Sequence, residues 1–114
     1  MSGITTHVLD LALGAPARGM PVRLEMLRGD SGWTALGEAV TDDDGRARDL
    51  APAGTPIEAG LYRLTFMTGL YHRSNDMRGF YPEVIVTFEV SDPARHHHVP
   101  LLLSPWGYST YRGS

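Results

Sequence analysis

Short runs that alternate apolar and polar residues, cut apart by clusters of Gly, Pro, Asp and Ser, commit this chain to a β fold. The 13 Gly and 8 Pro fall mainly between those runs. Ile4 to Asp10 reads as a strand with Ile4, Thr6 and Val8 on one face and Thr5, His7 and Leu9 on the other. After a turn over Gly14 to Gly19, Pro21 to Arg28 is a second strand, with Val22, Leu24 and Met26 inward and Arg23 and Glu25 outward. Trp33 to Thr41 is a third, and Asp42-Asp43-Asp44-Gly45 is a tight turn into a short fourth, Arg46 to Leu50. A Pro/Gly-rich loop leads to Gly60 to Thr68, and a short helix is expected near Leu70 to Ser74. Tyr81 to Val90, Arg95 to Leu103 and Tyr108 to Arg112 complete eight strands, the count of a sandwich or barrel.

At 114 residues the chain is expected to form one domain, 1–114, large enough to bury a core without staples. It has no Cys, so neither a disulfide nor a thiolate metal site can form. All ten cationic residues are Arg, which rules out Schiff-base chemistry on a lysine. A formal charge of -3 argues against a nucleic-acid partner. The opening segment lacks a basic stretch followed by an apolar run, and no stretch approaches a membrane span, so a cytoplasmic protein without a membrane partner is expected.

Chemistry is concentrated in five His and a few Arg. His96, His97 and His98 share a strand, with period 2 placing His96 and His98 on one face with Pro100 and Leu102 and His97 on the other. Two His at that spacing suit metal ligation or general-base work, and equally a solvated edge strand. His7 is either an unremarkable strand residue or a partner to them. Arg46 has a fork of donors for a planar, carbonyl-rich ligand, or else pairs with Asp42, Asp43 or Asp44; Arg48 shares its face. The acidic turn lacks the spacing and terminal Glu of an EF-hand, Ser104 lacks a Gly-x-Ser-x-Gly frame, and no phosphate-binding or dinucleotide fingerprint is present. These patterns stop short of a reaction.

Two terminal blocks carry a resemblance. Thr5-Thr6-His7-Val8-Leu9-Asp10 resembles the opening strand of transthyretin-like proteins, and the block from His98 through Leu101-Leu102-Leu103-Ser104-Pro105 to Thr110 resembles their last hairpin. Tyr111-Arg112-Gly113-Ser114 resembles the tetrapeptide signature of the 5-hydroxyisourate hydrolase branch. Asp44-Gly45-Arg46 and Gly79-Phe80-Tyr81-Pro82-Glu83 are similar to internal motifs of the same family, so the likeness spans essentially the whole chain. Trp106 and His97 depart from it, standing where Tyr-type residues are common.

The resemblance implies an all-β, transthyretin-like (prealbumin-like) sandwich of two four-stranded sheets with one short helix after the fifth strand. It implies a homotetramer with sites at the dimer–dimer interface, where strand edges pair across subunits. It implies hydrolysis of the small-molecule substrate 5-hydroxyisourate in urate (purine) degradation, without a cofactor. Carried over residue by residue, the catalytic set is His7, Arg46 and His98, and the substrate-binding set is Tyr111, Arg112, Gly113 and Ser114. Water would be activated by the His pair, in an order left open, and Arg46 would hold the substrate. A zinc ion on His7, His96 and His98 is a competing reading that the resemblance does not favour. A small-molecule (hormone) carrier using the same channel is the alternative from another class, which the polar groups and the Tyr-Arg-Gly-Ser ending argue against.

Overall fold

The computed structural model describes residues 3–114. Among them nine strands and one α-helix follow one another, with a 3-10 turn at Gly29–Ser31: β1 (Ile4–Asp10), β2 (Ala15–Pro16), β3 (Pro21–Arg28), β4 (Gly32–Val40), β5 (Arg46–Ala47), β6 (Gly60–Phe66), α1 (Thr68–Ser74), β7 (Val84–Val90), β8 (His97–Ser104) and β9 (Gly107–Thr110). They form two sheets. One has the order β2-β1-β8-β9 with β5 also on β1, and the other the order β4-β3-β6-β7. All pairings are antiparallel except β1 with β8.

The alternation expected of each strand explains the packing. Ile4, Thr6 and Val8 of β1 and Val99, Leu101 and Leu103 of β8 point into the sandwich. They meet a second sheet that contributes Val22, Leu24 and Met26 of β3 and Tyr62, Leu64 and Phe66 of β6. Removing this apolar surface from water is the main favourable term in holding the sheets together. Glu25, expected to face outward, lies on the outer face yet is 8% exposed, because Arg63 reaches over it at 2.8 Å and stacks on Trp33.

β1 and β3 keep the bounds expected from sequence, and the other elements shift at one or both ends; β8 begins at His97 rather than Arg95, which leaves His96 outside the strand. The first sheet has five strands rather than four. The fifth is Ala15–Pro16, inside the stretch expected to be only a turn, where two residues pair with Leu9 and Asp10. The strand expected at Arg46 to Leu50 is reduced to Arg46–Ala47. The helix begins at Thr68, two residues before Leu70, and this cuts the preceding strand at Phe66. β7 starts at Val84, because Gly69 N–H donates to the Pro82 carbonyl and Thr68 to the Tyr81 carbonyl, occupying that backbone. The last strand ends at Thr110, after which Gly113 makes an isolated bridge to His98.

Asp10 joins the helix to the site-bearing sheet. Its carboxylate accepts the Tyr71 hydroxyl at 2.7 Å and the amides of Ala12 and Leu13. A buried carboxylate satisfied on both oxygens locks the end of β1 under α1. Among the described residues no helix is long and apolar enough to cross a membrane.

Candidate active site

Sheet register brings together residues far apart in the chain. The parallel β1–β8 pair sets Thr5 beside His98 and His7 beside Pro100. On the other side of β1, β5 sets Arg46 beside His7. Because Ile4, Thr6 and Val8 occupy the core face, Thr5 and His7 must occupy the outer one. By the same rule His98 faces outward while His97 is buried with Val99.

The turn before Arg46 is built for this placement. The Asp42 carboxylate accepts the backbone N–H of Asp44 at 2.9 Å and of Arg46 at 3.0 Å. Those bonds, the one to Arg46 first, hold the Asp42 carboxyl below its usual range. Gly45 has φ 77°, and a Cβ there would collide with the Val8 carbonyl. The ion pair expected as one fate of Arg46 does not form: Asp43 reaches Arg18 instead, and Asp44 offers its carbonyl to His7.

His7, Arg46, His98, Tyr111, Gly113 and Ser114 line one cavity of about 460 Å3. The remaining residue of the terminal motif, Arg112, lines an adjoining cavity of about 320 Å3 that shares only His98 and Tyr111 with the first. The tail is laid across β8. Gly113 N–H donates to the His98 carbonyl at 2.8 Å, and the Thr110 hydroxyl donates to the Pro100 carbonyl at 2.6 Å. A Cβ on Gly113 would stand 2.6 Å from His98 Cδ2, so the backbone of the tail rests directly on the imidazole edge.

The ring nitrogens are set by their partners. His7 Nε2 lies 2.8 Å from the Asp44 carbonyl oxygen. A carbonyl only accepts, so Nε2 carries the proton, and the neutral ring keeps its lone pair on Nδ1. His98 Nδ1 lies 2.8 Å from Thr5 Oγ1, and so does His96 Nε2. Burial, then the Arg46 guanidinium, then His7 and His96 hold His98 below the ordinary histidine value of 6.5. A neutral imidazole beside a guanidinium in a half-enclosed polar cavity can accept a proton from water while the cation steadies negative charge on oxygen.

Four cavity residues lie outside the set named from sequence: Thr5, Thr6, His96 and Arg48. Alternation already put Thr5 on the face of His7, but only the parallel register reveals that it touches two His rings. From sequence, His96 suits metal ligation, general-base work or a solvated edge strand; a partner to Thr5 is none of these. The His rings are spread out rather than convergent, with centroids 6.5 Å apart for both His7–His98 and His96–His98. Among the described residues no three His, Cys, Asp or Glu are grouped to hold a metal ion.

Comparison with known proteins adds to this geometry. A profile of the HIUase/Transthyretin family matches residues 4–113. The chain is 48% identical over 113 residues to the 5-hydroxyisourate hydrolase of Salmonella dublin, covering 97% of this chain and 80% of that one. It is 46% identical over 119 residues to the 5-hydroxyisourate hydrolase of Caulobacter vibrioides, with both chains covered in full. Its fold superposes with a TM-score of 0.90 on sea bream transthyretin in complex with thyroxine, at 29% identity, covering 98% of this chain and 95% of that one. One fold therefore serves both a hydrolase and a thyroxine-binding protein, and the cavity must discriminate between them.

Proposed function

The chain belongs to the HIUase/Transthyretin family, and from that premise we propose that its single domain is a 5-hydroxyisourate hydrolase of urate degradation. The observation that carries the proposal is the convergence of His7, Arg46, His98 and the Tyr111, Gly113 and Ser114 tail on one polar cavity. A carrier of an apolar hormone would need an apolar mouth. This cavity presents two guanidinium groups and three imidazoles, whose desolvation by such a ligand would be costly.

In the proposed reaction water attacks the ring carbonyl at C6 of 5-hydroxyisourate. The His98 imidazole takes a proton from the attacking water, and the lone pair on His7 Nδ1 accepts a hydrogen bond from it. Arg46 donates to the carbonyl oxygen as it gains charge. The N1–C6 bond then breaks, the proton is returned to N1, and C6, still bonded to C5, becomes the carboxyl group of 2-oxo-4-hydroxy-4-carboxy-5-ureidoimidazoline, which ionises by releasing its proton to solvent. Tyr111 covers the planar ring, and Gly113 and Ser114 close the site, with Arg112 supporting the tail from the neighbouring cavity.

The proposal includes a homotetramer with its sites at the interface between dimers. One free edge of each sheet, β7 and β9, borders the same side of the sandwich, where Val86, Phe88 and Thr110 share the second cavity. A second copy could extend both sheets there and remove both edges at once.

Running the reaction in 18O-enriched water tests the chemistry. Enzyme-dependent appearance of a product with one label in its new carboxylate is expected. Conversion without accelerated incorporation of the label would reject hydrolysis.

A further inference from the structure

The Thr5 hydroxyl stands between two imidazoles, 2.8 Å from His96 Nε2 and 2.8 Å from His98 Nδ1. Thr5 is 6% exposed, in the middle of the sheet between β5 and β8, and its backbone is fixed by pairing with His98. A hydroxyl has one proton to donate and two lone pairs with which to accept. With both rings neutral, it donates to one and accepts from the other, so the two tautomers are coupled.

If Thr5 donates to His98 Nδ1, the proton of His98 must sit on Nε2, and that ring has no lone pair left for water. If His98 Nδ1–H donates to Thr5, Nε2 is free and the Thr5 proton goes to His96 Nε2. The second arrangement is the one that makes His98 a base, and it needs an acceptor on the far side of Thr5. His96 is that acceptor. The burial of Thr5 leaves its proton few other places to go.

We propose that Thr5 is a positioning residue that fixes His98 in the Nδ1–H tautomer, with His96 receiving the Thr5 proton, so that His98 Nε2 is the nitrogen that deprotonates water. This role rests on the hydrolase reading for its consequence in rate, but the tautomer itself does not depend on substrate. It explains why an exposed His belongs to the site without needing to touch the reacting atoms. It also gives a hydroxyl that performs no chemistry a definite effect on chemistry, as outer partners of active-site His commonly have.

The test uses the intact protein labelled with 15N at histidine, without substrate. Two-bond proton–nitrogen correlation spectra distinguish Nδ1–H from Nε2–H rings, with His98 assigned from a His98→Asn variant. The wild type is expected to show His98 as Nδ1–H. Thr5→Val, which keeps the shape and removes the hydroxyl, is expected to shift His98 towards Nε2–H and lower kcat by about ten- to a hundredfold with KM little changed. Thr5→Ser restores both, and His96→Ala moves the tautomer in the direction of Thr5→Val. A wild-type His98 already in the Nε2–H form overturns the proposal, as does a folded Thr5→Val protein with unchanged tautomer and kcat. Absence of hydrolysis by the wild type would instead remove the hydrolase reading, while the spectra still decide the placement of the proton.

Discussion

His7 Nε2 donates to the Asp44 carbonyl across 2.8 Å, tying the central strand β1 to the turn that delivers Arg46. One bond thus does two things: it selects the tautomer of His7, and it fixes the hairpin that presents the guanidinium. We predict that His7→Ala lowers kcat and quickens hydrogen exchange at the Arg46 amide, which is otherwise held by Asp42. Unchanged exchange at that amide would mean that the turn stands without His7.

Arg46 is half-buried in the cavity wall, and its guanidinium is not drawn into an ion pair with the acidic turn before it. Its removal should therefore spare the fold. We predict that Arg46→Ala costs about a hundred- to a thousandfold in kcat, the usual effect of deleting one preorganised oxyanion donor, with little change in Tm. Arg46→Lys should recover only part of this, because an ammonium lacks the planar fork. Steady-state kinetics beside thermal unfolding would check both.

Gly113 is required by space rather than by backbone angle. Its missing Cβ would fall 2.6 Å from His98 Cδ2 and 3.3 Å from Pro100 Cγ. Gly113→Ala should lift the tail off the imidazole, raising KM and lowering kcat together, while the core and Tm are left nearly intact. Wild-type kinetics in this variant would show that the tail does not hold the ring.

Much of this was legible before the fold was known. Alternation separates Ile4, Thr6 and Val8 from His7 on opposite faces, because a strand has a period of two whatever it pairs with, and the structure buries the first face. The Ala15–Pro16 strand was not legible, since two residues beside Gly14 and Gly19 carry turn chemistry and pair only because β1 is there. Within the site, resemblance supplied His7, Arg46, His98 and the tail. The bridging role of Thr5 was hidden because it depends on the β1–β8 register across 93 residues of chain. Arg112 shows the reverse limit. The resemblance groups it with Tyr111, Gly113 and Ser114, whereas it lines the neighbouring cavity and not the first.

Two His make stability depend on pH. Burial, followed by the Arg112 charge, holds His97 below 6.5, and His98 is lowered by burial and Arg46. The folded chain therefore refuses protons that the unfolded chain accepts. Their stabilising contribution is complete above the unfolded value of 6.5 and is lost as pH falls through that value towards the lower folded ones. Urea denaturation between about pH 8 and pH 5 should show stability decreasing on acidification, with the base form of His98 giving activity an acidic limb displaced below the usual histidine range. A stability that rises over that interval would contradict the assignment.

The most direct test of the central claim is a coupled ultraviolet assay. Urate oxidase generates 5-hydroxyisourate in place, and its decay is followed with no addition, with this protein, and with a His98→Asn variant of equal stability. Decay accelerated by the wild type and returned close to the spontaneous rate by His98→Asn is the predicted result. Decay at the spontaneous rate with the wild type would contradict the hydrolase assignment, and equal acceleration by both proteins would contradict the place of His98 in it.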